Sequence, residues 1–112
     1  ILFNMQKEVE NVYIHDSIYD YIVRLITATR ESQYFSIGVS PRGTISLVKI
    51  SKATAWLNGN DFVSPSDVYN QFTSIARHRV QVSAKAKIEG IDKEEILENI
   101  LKSVEMPSFK RK

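Results

Sequence analysis

Apolar residues recur at helical spacing along most of the chain. Between a cap at Asp16 or Ser17 and about Arg30 they follow the i, i+3, i+4, i+7 rule, with polar residues on the opposite face, which predicts an amphipathic helix. A second such helix is predicted to begin at Asp92 and to end by Pro107. The apolar positions of the earlier helix are Ile18, Tyr21, Ile22, Leu25 and Ile26.

Two more helices are predicted to begin with serine and proline. In Ser40-Pro41 and in Ser64-Pro65, the serine suits the N-cap because its hydroxyl can accept a backbone N–H of the first turn. The proline suits the first helical position because its missing N–H would have had no helical partner. We expect one helix to end at about Asn58 and the other at about His78.

The helix predicted from Pro41 to about Asn58 has apolar residues on nearly all of its faces. A helix that is apolar all round is normally buried. We therefore expect it to be the central helix of the bundle, with the indole of Trp56 in the core or half-buried against it.

The remaining segments are predicted to be short or extended. Residues 1–11 have the spacing of a short helix, and Val12–Ile14 suits a brief strand. Residues 31–38 are predicted to be a loop. From Val80 to Ile88 apolar and polar residues alternate, which is typical of extended chain, and this segment is predicted to pair with 12–14. The fold class that follows is mainly α, a helical bundle of about five helices with one small two-stranded β pairing.

Composition restricts the function classes. The chain has 112 residues, a net charge of +2 and no cysteine, so we expect one domain over residues 1–107, a basic tail over 108–112 and no disulfide. The charge is too small to indicate nucleic acid. No run of about 18 apolar residues indicates a membrane span, and a cytoplasmic location is expected. His15 and His78 lie far apart in sequence, so no metal site is predicted.

The chain by itself does not have the motifs of an enzyme. Its four glycines are scattered and form no phosphate-binding loop. No nucleophile-elbow motif supports a catalytic triad. We therefore expect no catalytic activity from this chain alone.

Arg42 is the candidate binding residue. It lies in the first turn predicted after Ser40, where unpaired N–H groups and the helix dipole are already positive, so a cation is unfavourable there unless an anion meets it. A helix N-terminus and a guanidinium together suit a phosphate. The alternative is an ordinary solvated arginine. Arg30, Arg77 and Arg79 lie near predicted helix C-termini, which favour cations, and are kept as possible interface residues.

Three motifs in order resemble one known family. They are Thr-Ala-Thr-Arg at 27–30, Gly-Val-Ser-Pro-Arg-Gly at 38–43, and Asp-x-Val-x-Pro-x-Asp-Val at 61–68, followed by Arg-His-Arg at 77–79. Together, and over nearly the whole chain, they resemble the C-terminal lid domain of MoxR-family AAA+ ATPases. Asn60 stands where that family usually has arginine, so no role of that loop arginine is carried over.

The resemblance implies that this lid follows an α/β nucleotide-binding core. It implies that Arg42 is the sensor-2 arginine, which reaches the γ-phosphate of ATP bound with Mg²⁺, and that Ser40 and Gly43 lie beside the phosphates. The implied partners are that AAA+ core, neighbouring subunits of a homo-oligomeric ring and von Willebrand factor A-domain proteins. The implied activity is chaperone-like remodelling or maturation of partner complexes. Whether Arg42 serves its own or a neighbouring subunit's ATP stays open.

A second hypothesis is a free-standing helical domain that binds protein or DNA through the basic tail, Arg77 and Arg79. A recognition helix needs basic or amide side chains at its start. The helix after Ser64 opens with proline, serine and Asp67 instead, and a carboxylate there would repel DNA phosphates. A Walker A lysine upstream in the same reading frame would distinguish the two hypotheses.

Overall fold

The computed structural model describes residues 7–107, and this part of the chain is mostly helical, which confirms the mainly α fold class. A single small antiparallel sheet accompanies the helices of this part. Predictions for residues 1–6 and 108–112 lie outside the described residues. The elements are α1 over residues 7–10, α2 Asp16–Glu31, β1 Phe35–Ile37, α3 Pro41–Leu57, α4 Pro65–Ala76, β2 Gln81–Val82, α5 Ala84–Glu89 and α6 Lys93–Ser103.

The central helix is α2, not α3. α2 packs against α3, α4, α6 and β1, and one side of it is fully buried from its first turn to its last. The predicted apolar stripe therefore faces the core as expected. Its buried residues are Ile18, Tyr21, Ile22, Leu25, Ile26 and Thr29.

α3 is buried on only one narrow face, so its prediction as the central helix is wrong. Its buried residues are every fourth one, and three of the four are small: Gly43, Leu47, Ser51 and Ala55. α3 packs against both α4 and α2, and small side chains in such a stripe allow neighbouring helices to approach closely. Val48 and Ile50 on the other faces are partly buried against the core, whereas Ile45 is 58% and Leu57 73% exposed.

Trp56 is half-buried and packs against the core rather than fully inside it. Its indole Nε1 donates a hydrogen bond to Glu8 Oε2 over 3.1 Å. Tryptophan has one polar N–H that needs a partner, which favours a position at the edge of a core. The largest fully buried side chains are Tyr21 and Phe72.

The small sheet joins segments other than those predicted. β1 lies inside the predicted loop at 31–38 and pairs antiparallel with β2, with Phe35 opposite Val82. Tyr13 instead forms an isolated parallel bridge with Phe62. The pairing of 80–88 with Val12–Ile14 is therefore wrong.

The segment predicted to be extended from Val80 is a strand only in β2, because the helix α5 begins directly after it. The Ser83 hydroxyl accepts a hydrogen bond from Ala86 N over 3.3 Å and caps α5. Ile88, the last apolar residue of the alternating pattern, is 85% exposed. The pattern therefore did not reflect a buried strand face, and the helix-favouring alanines and the serine cap decided the local structure.

The helix starts show which caps form. At α4, Ser64 and Asp67 make the full capping box, with Asp67 Oδ2 accepting from Ser64 N over 2.9 Å. At α2 the cap is His15, whose Nδ1 accepts from Ser17 N over 3.0 Å, so the predicted cap at Asp16 or Ser17 is wrong. An imidazole nitrogen with a free lone pair accepts an N–H as a hydroxyl does.

Two buried hydroxyls have no hydrogen-bond partner within residues 7–107. They are those of Tyr21 on α2 and Ser51 on α3. Burial raises the pKa of the Tyr21 phenol, and the nearby Tyr69 adds to that rise. A buried polar group without a partner lowers stability because it loses its bonds to water.

We expect Ser51→Ala to raise the free energy of unfolding by about 1 kcal/mol, because the substitution removes an unpaired buried hydroxyl and favours the helix. Urea unfolding followed by circular dichroism measures it. The control is Ser74→Ala at an exposed position of α4, which gains helix propensity alone, roughly a few tenths of a kcal/mol. A destabilised Ser51→Ala would show that the hydroxyl is satisfied in solution.

Candidate functional site

The candidate site is the N-terminal end of α3. Its first turn is closed by Gly43 N, which donates to the Ser40 carbonyl oxygen over 2.8 Å. Ser40 occupies the N-cap position with extended backbone, as predicted, but within residues 7–107 its hydroxyl makes no capping bond. The expectation that this hydroxyl caps the helix is therefore wrong. No acidic residue lies in the first turn of α3, so its N–H groups face neither a cap nor a carboxylate of that turn.

Arg42 is exposed in this turn, and its side chain makes no hydrogen bond or ion pair with any residue in 7–107. Other cations of the fold do have carboxylate partners, for example Arg24 with Asp20 at 3.0 Å and Lys85 with Glu89 at 3.0 Å. The guanidinium of Arg42 thus adds an uncompensated charge to a helix end that is already positive. This is the electrostatic environment that an anion, and a phosphate in particular, would stabilise.

Arg79 reaches the same end of α3 from beyond α4. Its Nη2 donates to Ser46 Oγ over 3.2 Å. Its Cδ lies 3.7 Å from the position that a Cβ on Gly43 would occupy. The side chain of Arg79 therefore lies alongside the first turn of α3, because α3 and α4 pack closely and the chain turns back after Ala76.

The other two arginines named from the sequence have different surroundings. Arg77 lies toward α6, where its Nε is 3.6 Å from Glu94 Oε2 and its carbonyl accepts from Lys93 Nζ over 3.0 Å. Arg30 is exposed at the end of α2. Arg79 thus lies beside Gly43 at the start of α3 and Arg77 lies toward α6, whereas the backbone of Arg30 lies against Gly38 in the loop before α3.

Gly43 is needed for packing at this site. It is buried, and a Cβ there would collide with Cγ1 of Val39, which is itself fully buried. The loop before α3 therefore lies directly beneath the first turn of the helix.

Ser46 and Thr29 are two site residues that sequence reasoning missed. Thr29 Oγ1 accepts a hydrogen bond from Val39 N over 3.0 Å. Its position continued the apolar stripe of α2, and a hydroxyl in such a stripe was the available signal that it holds a buried partner. For Ser46 the sequence carried no comparable signal.

The groups of this site fit phosphate oxygens. Guanidinium groups and helix N–H groups are donors only, and phosphate oxygens are acceptors.

Within residues 7–107 no cluster of three or more histidine, aspartate or glutamate side chains could hold a metal ion. In the same part of the chain, no helix has the length and apolar character needed to cross a membrane.

Comparison with known proteins gives consistent matches. Residues 27–100 match the family model described as AAA lid domain. The "Uncharacterized protein YeaC" of Bacillus subtilis (strain 168) is 40% identical over 103 residues, which cover 92% of this chain and 32% of that protein. "Chaperone MoxR1" of Mycobacterium tuberculosis is 27% identical over 115 residues, covering 95% of this chain and 30% of that protein.

A solved structure is similar as well. The crystal structure of a "putative ATPase" from Cytophaga hutchinsonii superposes with a TM-score of 0.84 at 33% identity, over 91% of this chain and 34% of that one. This chain therefore spans about a third of the length of the proteins it matches.

We expect Gly43→Ala to lower the free energy of unfolding by about 1–3 kcal/mol, because the new methyl group overpacks against Val39. Thermal or urea unfolding measures it. Val39→Ala removes the clashing methyl group, so the double variant should be more stable than the sum of the two single effects predicts. Strict additivity would show that Gly43 and Val39 do not contact as described.

Proposed function

This chain belongs to the AAA lid domain family, as a C-terminal lid region of the MoxR type, and we propose that it completes the ATP site of a larger AAA+ ATPase. In this proposal the lid follows an AAA+ core of the same chain and occupies residues 1–107, with 108–112 as a basic tail. The lid couples ATP hydrolysis to chaperone-like remodelling or maturation of partner proteins. Alone, the lid hydrolyses no ATP.

The observation that supports this proposal best is the uncompensated charge of Arg42 at the start of α3. A surface arginine without function gains nothing from this position, because the helix dipole opposes it by about 0.3–1 kcal/mol. An ATP phosphate reverses the sign of that interaction. Arg42 is also exposed, so a phosphate held by another domain can reach it without any rearrangement of the lid.

The chemistry assigned to Arg42 is that of a sensor-2 arginine. Its planar guanidinium can donate two parallel N–H groups to a pair of phosphate oxygens. Negative charge on the transferred phosphoryl group and on the leaving oxygen must be stabilised during hydrolysis. ATP with Mg²⁺, held by the core, would supply the reacting phosphates. Arg42, with Ser40 and Gly43 beside it, would orient and stabilise them from the lid side.

The partners are part of the proposal. They are the AAA+ core, neighbouring subunits of a homo-oligomeric ring, and von Willebrand factor A-domain proteins. Arg30, Arg77 and Arg79, all three exposed, are assigned to interfaces. The mycobacterial relative is named a chaperone, which agrees with this class of activity. The DNA-binding alternative is less favoured because Arg77 and Arg79 have different neighbours and form no common face.

We expect Arg42→Ala in the full-length protein to lower kcat for ATP hydrolysis by roughly 10²–10³, the scale for losing one preorganised donor to the transition state. The melting temperature should stay the same or rise slightly, because the substitution removes an unfavourable charge–dipole interaction. Steady-state phosphate release and thermal unfolding measure the two quantities.

Arg42→Lys should recover only part of the activity, since lysine keeps the charge but not the two-pronged donor. Arg24→Ala is the matched control, because Arg24 is a surface arginine paired with Asp20 on α2, and its turnover should equal that of wild type. Normal turnover of Arg42→Ala would refute the sensor-2 role. A large fall in its melting temperature would show that Arg42 stabilises the fold instead.

A further inference from the structure

Thr29 is a fully buried polar residue in the last turns of α2. Its Oγ1 donates to the Ile26 carbonyl oxygen over 2.6 Å and accepts from Val39 N over 3.0 Å. The first bond lies within the helix and orients the hydroxyl. The second crosses to the loop that leads into α3. One side chain therefore connects the end of the central helix to the chain just before Arg42.

The loop residues 38 and 39, which Thr29 holds, are already packed against α2 and cannot move closer to it. Val39 is fully buried, so its N–H would be unpaired inside the protein without the Thr29 hydroxyl. A Cβ on Gly38 would lie 2.6 Å from Arg30 Cα and 2.6 Å from the Thr29 carbonyl oxygen. Residues 38 and 39 are thus in direct contact with the backbone and the side chain of α2.

The start of α3 depends on this contact because it lacks a local cap. Where the structure describes a helix start, α2, α4, α5 and α6 each have an N-cap side chain that accepts a backbone N–H of the first turn. At α3, Ser40 makes no such bond. The position of its first turn is therefore set by tertiary contacts of residues 38–43, of which the Thr29 hydrogen bond is the polar one.

We infer that Thr29 is a positioning residue for Arg42, an inference that rests on the proposed function. Thr29 does not contact the phosphate. It fixes Val39, and Pro41 with its restricted backbone passes that position on to the first turn of α3. The guanidinium of Arg42 is then presented at one place on the surface rather than over a range of places.

The test is Thr29→Val in the full-length protein, a substitution that keeps the shape but removes both hydrogen bonds. We expect kcat for ATP hydrolysis to fall by about 10–10²-fold, since misplacement of a catalytic group by about 1 Å can cost about 10²-fold. The KM for ATP should change much less, because Arg42 acts mainly in the transition state. Thr29→Ser, which keeps the hydroxyl, should restore most of the turnover.

Two comparisons separate positioning from a general loss of stability. Thr54→Val is the matched control, because Thr54 Oγ1 also donates to a carbonyl of its own helix, that of Ile50 at 2.8 Å, but holds no loop; its turnover should equal that of wild type. In an Arg42→Ala background, Thr29→Val should lower turnover by less than about twofold, since the two residues act as one unit.

The outcomes are distinct. Normal turnover of Arg42→Ala refutes the proposed function and with it the role of Thr29. If Arg42→Ala lowers turnover but Thr29→Val does not, the role of Thr29 alone is refuted. The role of Thr29 alone is also refuted if Thr29→Val lowers turnover in the Arg42→Ala background by the same factor as in wild type. Should Thr29→Val not fold, hydrogen exchange of the wild-type protein still decides. The Val39 amide must exchange as slowly as core amides, and exchange as fast as exposed loop amides overturns the inference.

Discussion

α2 must bury one continuous stripe of side chains, and the positions of the other helices follow from that constraint. Each fully buried aliphatic or aromatic side chain of the stripe contributes about 1.5–3 kcal/mol relative to its exposed state. α3, α4 and α6 cover the stripe together, with β1 at its C-terminal end. The loop from β1 to α3 then has to pass over the last turn of α2.

The candidate site is a consequence of this arrangement. Where the loop crosses α2, Gly38 allows close backbone contact and Thr29 satisfies the buried N–H of Val39. α3 therefore begins at the surface. Its first turn is oriented by the contacts of the preceding loop with α2 and not by an N-cap side chain. The charge–dipole cost of Arg42, about 0.3–1 kcal/mol, is small beside the burial energy that places it there. The fold can thus keep an unfavourable charge ready for an anion.

The errors of the sequence-based predictions have physical reasons. α3 looked central because its composition is apolar all round, yet only a stripe of every fourth residue on it is buried. Residues 80–88 looked extended because apolar and polar residues alternate, yet the Ser83 cap and two alanines favour a helix over most of that length. In both cases the sequence pattern shows where the apolar residues lie, but it does not show which of them are covered by a neighbouring element.

The sequence alone determined the helical class, most helix boundaries and the identity of Arg42 as a cation at a helix start. Periodicity, capping and the restricted backbone of Pro41 all act over three or four residues, so they can be read locally. The tertiary structure alone decided that α2 is central, that β1 pairs with β2, that Arg79 lies beside Gly43 while Arg77 does not, and that Thr29 holds Val39. These contacts join residues that are distant in sequence or lie on separate elements. They depend on which surfaces pack together, and no local pattern contains that information.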